Sequence, residues 1–132
     1  MSEEKPVHCF RKLVKPEDLN PGDRLFGGRV LAWADEAAAT YAMCQMRSQT
    51  LVTKKISEVI FDNPAFNGDV LDFYCHILKI GTTSLTVKCV CLRKEIFHDA
   101  YLQDTILQCD FVFVNVDERG KPTPHHMTEE RA

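Results

Sequence analysis

One short stretch, from Asn20 to Asp35, holds an acid, a donor amide and two glycines at spacings that could do chemistry: N-P-G-D-R-L-F-G-G-R-V-L-A-W-A-D. The side chain of Asp35, with a reference pKa of about 3.9, is ionised at neutral pH and can act as a general base or a nucleophile. Gly27 and Gly28 stand where an apolar, alanine-rich segment begins. A helix start leaves N–H groups unpaired, with a partial positive charge of about +0.5, and glycine lets a carbonyl oxygen approach them closely. Asn20 carries an amide that can donate to a carbonyl or orient a water. Each residue also has a plainer alternative. Asp35 could be a half-buried helix carboxylate paired with an arginine, the glycines could serve packing of helix on sheet, and Asn20 could bond its own turn backbone.

The surrounding pattern says what must hold these groups. Residues 7–15, V-H-C-F-R-K-L-V-K, predict a short first strand ended by Pro16, followed by a polar loop to Phe26. From Gly27 the period changes. At about 100° per residue, Gly27, Val30, Leu31, Ala34, Ala38, Tyr41 and Ala42 share one face, which predicts an amphipathic helix of about 20 residues. Asp35 falls at the margin of that face and Glu36 nearly opposite the core. Period-two alternation then predicts strands over 51–61, 70–80, 84–97 and 102–116, joined by the turns D-N-P-A-F-N-G-D, G-T-T and one opened by His98-Asp99. Hairpin-like joints imply mostly antiparallel pairing. The expected fold is α+β: a curved sheet wrapped around one long helix, in a single domain over 1–132, with flexible tails at 1–6 and 118–132.

Composition narrows the class. At 132 residues and 45% hydrophobic, the chain suffices for one core. It has no apolar run long enough for a transmembrane helix. Its first six residues lack the apolar stretch of a signal peptide, and its net charge of −3 offers no nucleic-acid footprint. The six cysteines, Cys9, Cys44, Cys75, Cys89, Cys91 and Cys109, form no C-x-x-C and lie in apolar stretches. Reduced, mostly buried thiols in a cytoplasmic protein are expected, without a disulfide framework or a zinc site.

With D-L-N-P-G-D-R-L-F-G-G and the acid-bearing helix in hand, together with the N-G-D-V turn, the I-G-T-T-S hairpin and the F-V-F-V-N-V-D strand ending in G-K-P, the chain resembles the hot-dog fold acyl-CoA thioesterases. The likeness is to the small bacterial acyl-CoA hydrolases and their two-domain cytosolic relatives. It covers about residues 8–122 with the motifs in family order. The resemblance implies hydrolysis of an acyl-CoA to free acid and CoA without metal or prosthetic group. It also implies pairing of two such domains, often stacked into hexamers. Asn20, Gly27, Gly28 and Asp35 match family positions. Arg24 departs from the family loop, where a small or acidic residue is common.

Spacing adds a constraint. Gly27 and Asp35 are eight residues apart, or about 12 Å along one helix, whereas a reacting carbonyl must lie about 3–3.5 Å from its attacking atom. One helix cannot supply both, but two antiparallel helices about a two-fold axis can. Asn20 and Gly27-Gly28 of one subunit then meet Asp35 of the other. For the CoA phosphates the candidates are the Gly81-Thr82-Thr83-Ser84 turn and the Arg93-Lys94 pair; charged strand ends are also ordinary solvated edges. Phe61, Phe66 and Trp33 could line an acyl channel or simply pack.

Two other chemistries fit less well. Hot-dog dehydratases use a histidine near the helix, and the histidines here, His8, His76, His98, His125 and His126, all fall outside 15–50. Cys44 as nucleophile has no histidine near it in sequence. A non-catalytic acyl-CoA-binding module stays open as the alternative class.

Overall fold

A computed structural model of the chain describes residues 5–98 and 103–131. Its elements are β1 (Val7–Leu13), a 3-10 turn (Pro16–Asp18), α1 (Gly27–Met46), β2 (Leu51–Phe61), β3 (Val70–Ile80), β4 (Ser84–Arg93) and β5 (Thr105–Asn115). The strands make one sheet in the order β1-β3-β4-β5-β2, every pair antiparallel. This is the α+β arrangement the alternation predicts.

The core follows from the two periodicities. Leu71, Phe73, Cys75 and Ile77 of β3, Leu85, Val87, Cys89 and Cys91 of β4, and Leu107, Cys109, Phe111 and Phe113 of β5 are all buried on one face. Val30, Ala34, Ala37, Ala38, Tyr41, Ala42 and Met46 of α1 meet them. Ala34, Ala38 and Ala42 are fully buried, so the helix lies close to the sheet without large side chains between. Arg47 ends the helix in a left-handed conformation, φ 56°. The six thiols are free: four are buried, Cys9 is half-buried and Cys44 is exposed on the helix. Burial pushes the Cys109 thiol up to about 12.

Several boundaries differ from expectation, beginning with β1, which ends at Leu13 where the sequence predicts strand to residue 15. β4 stops at Arg93 instead of Phe97, because the Arg93 guanidinium reaches Asp69 Oδ2 at 2.6 Å, Asp104 Oδ2 at 2.9 Å and the Pro64 carbonyl. The last strand begins at Thr105; the expected turn from Asp99 and start at Leu102 lie outside the described residues. The segment expected as a flexible tail is docked. The Glu130 carboxylate accepts from the Tyr41 hydroxyl, and Arg131 is held by both the side chain and the backbone of Gln45. His125 is buried. Its Nδ1 accepts from the Met127 N–H at 3.0 Å, which leaves Nε2–H to donate to the Ser84 carbonyl at 2.9 Å.

On the outer side of the sheet, Asp72 is buried beneath β1. Burial raises its pKa, but Arg11, bonded at 2.6 and 3.0 Å, and His8 at 2.9 Å outweigh that and hold it below the usual carboxylate range. A carboxyl depressed on folding stabilises above its unfolded value of about 3.9 and loses that contribution as pH falls through its folded value. Asp72→Asn is expected to cost about 1–3 kcal/mol near pH 7. Urea unfolding across pH should show the gap to wild type closing below about pH 4.

Candidate functional site

The loop before α1 is a closed structure. The Asp18 carbonyl accepts from the Phe26 N–H at 3.0 Å, Leu19 bridges Leu25, and the Asn20 N–H donates to the Arg24 carbonyl at 2.7 Å. Asn20 Oδ1 takes the N–H groups of Gly22 at 2.9 Å and Arg24 at 3.2 Å. The turn reading of Asn20 therefore holds for its oxygen. Its Nδ2 has no partner among the described residues and remains a donor held in a fixed place.

Phe26 caps α1 without a side-chain hydrogen bond, and the first N–H groups bonded back to its carbonyl belong to Arg29 and Val30. The N–H groups of Gly27 and Gly28 are thus the orphan donors of this helix start. The two glycines differ in why they are glycine. A Cβ on Gly27 would stand 3.3 Å from the Phe61 ring, so intrachain packing favours glycine there. A Cβ on Gly28 would meet only Phe26 at an ordinary 3.7 Å, and Gly28 is exposed.

Asn20, Arg24 and Gly27 line one cavity of about 290 Å³, together with Leu25, Val30, Phe61 and the start of the β2–β3 turn. Asp35 is not part of it. It is half-buried farther along α1, where its Oδ1 accepts from the Thr53 hydroxyl at 3.0 Å. Among the described residues no cation lies within ion-pair range of Asp35, so the arginine-paired alternative is not what the fold builds. Thr53 escaped the sequence reading. Its signal was there: two residues after Leu51 it shares the helix-facing side of β2, where a hydroxyl breaks the apolar pattern.

The phosphate candidates separate. Ser84 and Arg93 are at opposite ends of β4, about 30 Å apart, so they cannot grip the same group from one chain. Arg93 is committed to Asp69 and Asp104. In the Gly81–Ser84 turn the carbonyls of Thr82, Thr83 and Ser84 are taken by His125, Asn115 and the Gly81 N–H, while the Thr82 and Thr83 hydroxyls make no hydrogen bond among the described residues. Thr53, Phe113 and Leu85 share a row across the sheet, which puts the Asp35–Thr53 pair at the end carrying this turn. Of the three aromatic candidates, Phe61 lines the cavity, Trp33 lies under Lys12 at 5.4 Å and Phe66 under Arg24 at 5.9 Å. Among the described residues no group of three or more His, Cys, Asp or Glu side chains could hold a metal, and no helix is long and apolar enough to cross a membrane.

A family model described as the thioesterase superfamily matches residues 22–96. The acyl-CoA thioester hydrolase YciA of Salmonella typhimurium is 30% identical over 116 residues, covering 87% of this chain and 86% of that one. A hexameric thioesterase from Yersinia pestis superimposes with a TM-score of 0.84 at 25% identity, over 97% of this chain and all of its own. An acyl-CoA hydrolase from Staphylococcus aureus, solved with butyryl coenzyme A, coenzyme A and coenzyme A disulfide, gives 0.81 at 29% identity, over 90% and 70%.

The unequal surroundings of the two glycines give a direct expectation. Gly28→Ala makes only ordinary contact with Phe26 and should keep its stability within about 0.5 kcal/mol of wild type. Gly27→Ala requires the Phe61 ring to give by a few tenths of an ångström. Thermal unfolding of the two variants, with near-ultraviolet circular dichroism as a report on aromatic packing, should show a spectral change for Gly27→Ala only.

Proposed function

The chain belongs to the thioesterase superfamily, and from that premise we propose that it hydrolyses acyl-CoA thioesters to free acid and CoA at a site shared between two copies of the chain. The observation that carries this reading is the division of the candidate residues. Asn20 and Gly27 line one cavity, while Asp35, bonded to Thr53, stands about 12 Å along the same helix.

In this reading the thioester carbonyl oxygen points at the N–H groups of Gly27 and Gly28 and at Asn20 Nδ2, which stabilise the negative charge that develops there. Such a preorganised donor contributes about 2.7–4 kcal/mol. Asp35 of the second copy acts in one of two ways. It takes a proton from water as the water attacks, then passes it to the sulfur as the C–S bond breaks. Or it attacks the carbonyl itself and expels CoA thiolate, leaving a mixed anhydride that water hydrolyses to the free acid while the released proton goes to the thiolate. The Thr53 hydroxyl holds the Asp35 carboxylate by one oxygen and leaves the other for this work. The steps need only water and these side chains.

The second copy docks through β2. Among the described residues this strand ends the sheet, pairs only with β5, and exposes Val52, Ile56, Val59, Ile60 and Phe61. A bare apolar edge is an aggregation hazard unless a partner covers it. Two-fold pairing along it would run the helices antiparallel and bring each Asp35 toward the other copy's helix start. Such dimers would assemble further into a hexamer, as the Yersinia pestis relative does. The Gly81–Ser84 turn, at the Asp35 end of the sheet, is the better placed of the two phosphate candidates.

Release of free thiol from a panel of acyl-CoA esters tests the reading. Asp35→Ala and Asn20→Ala are each expected to lose about 10²–10³ in kcat, and Thr53→Val to lose less while keeping its stability. Mixed dimers of Asn20→Ala with Asp35→Ala contain one intact site and should recover a measurable part of the activity. Verified mixed dimers without recovery would rule out the shared site, and turnover of no ester would rule out hydrolysis.

A further inference from the structure

Arg24 is one of three charged residues in the Asn20–Asp35 stretch, with Asp23 and Arg29, that the mechanism leaves unused. Arg29 lies 3.8 Å from the Asp18 carboxylate, whereas Arg24 lines the same cavity as Asn20 and Gly27. Its guanidinium carbon lies 5.9 Å above the Phe66 ring, and Nη1 reaches only the Gly22 carbonyl at a long 3.4 Å. Among the described residues it has no carboxylate partner. The other charged side chain at the cavity, Asp62, is turned to Gln108, whose Nε2 donates to it at 2.9 Å. A cation seated on an aromatic face beside a pocket, with its hydrogen bonds largely unspent, is a receptor for an anionic group.

The position of Arg24 restricts which anion. A methyl group added at Gly22 would stand 3.3 Å from Asn20 Oδ1 and 3.9 Å from Arg24 Nη1, so the guanidinium nitrogen lies no farther than the sum of the two from the Asn20 amide oxygen. If that amide faces the thioester carbonyl, Arg24 meets whatever lies a few bonds from it. The CoA diphosphate is separated from the sulfur by the pantetheine arm, about 15 Å when extended. A carboxylate at the far end of a six-carbon acyl chain lies about 6 Å from the carbonyl. Resting on the thioesterase reading, we infer that Arg24 is a specificity-determining residue that binds the terminal carboxylate of the CoA monothioester of a short dicarboxylic acid. The apolar lining from Leu25, Val30, Phe61 and Ile106 holds the methylenes between.

The test compares adipyl and hexanoyl thioesters, equal in carbon count, on CoA and on pantetheine, which lacks the nucleotide. Wild type should accept adipyl-CoA at least a tenth as well as hexanoyl-CoA in kcat/KM. Arg24→Gln should lower the adipyl-to-hexanoyl ratio about tenfold on both carriers, and Arg24→Lys should restore part of it. An unchanged ratio overturns the inference. So does a loss confined to CoA esters and equal for both acyl groups, which would assign Arg24 to a phosphate. Absence of turnover on every ester would instead defeat the hydrolase reading. The adipyl-to-hexanoyl ratio of equilibrium affinities, with and without Arg24, would then still decide this one.

Discussion

A rigid helix cannot bend its own ends together, and that constraint shapes everything around α1. The rise of about 1.5 Å per residue fixes Asp35 about 12 Å from the helix start. No side-chain rotation closes that distance. In the shared-site reading proposed above, the chain answers with two separately prepared half-sites. At the helix start, the Asp18–Phe26 closure and the Asn20 turn hold donors that have no acceptors of their own. Two turns later, Thr53 from the neighbouring strand holds the carboxylate. On that reading, each half-site needs the other copy to complete it.

The sheet supplies the rigidity. Fully buried Ala34, Ala38 and Ala42 bring α1 down against the inward faces of β3, β4 and β5, whose large side chains fill the space. Substituting a larger residue at any of the three would lift the helix and move both half-sites together. β2 differs from these strands in its position and its exposure. It is an edge, nearly all exposed, with irregular pairing at Thr53/Lys55 and Ser57/Ile60. It nonetheless carries Thr53 at one end and Phe61, the neighbour of Gly27, at the other. One strand therefore touches both half-sites and also offers the surface on which a second copy would align.

Most of this architecture could be read from residue order, because alternation and helical period are local signals. The helix start at Gly27, the bounds of β2 and β3 and the inward residues of three strands all follow from near neighbours in sequence. What could not be read depends on distant partners. The end of β4 is set by Arg93 meeting Asp69 and Asp104. The last residues look like a polar tail until Tyr41 and Gln45, more than 80 positions away, are brought to Glu130 and Arg131. Asn20, the glycines and Asp35 stood out by type and spacing. Thr53 did not, since a threonine in a strand needs no explanation until an acid is found beside it.

The two adjacent glycines separate what folding requires from what it leaves free. Gly27 answers to the chain itself, because the Phe61 ring leaves little room for a Cβ. Gly28 is under no such pressure inside the protomer: a Cβ there would make only ordinary contact with Phe26, and its N–H is one of the orphan donors of the helix start. Glycine at a helix start is disfavoured relative to residues that cap it or fix its backbone. Its presence where packing does not demand it therefore points outward, to something that must come close to that backbone from beyond the protomer. A bound carbonyl and a partner's helix would both meet α1 there, and both need the same absence of a side chain.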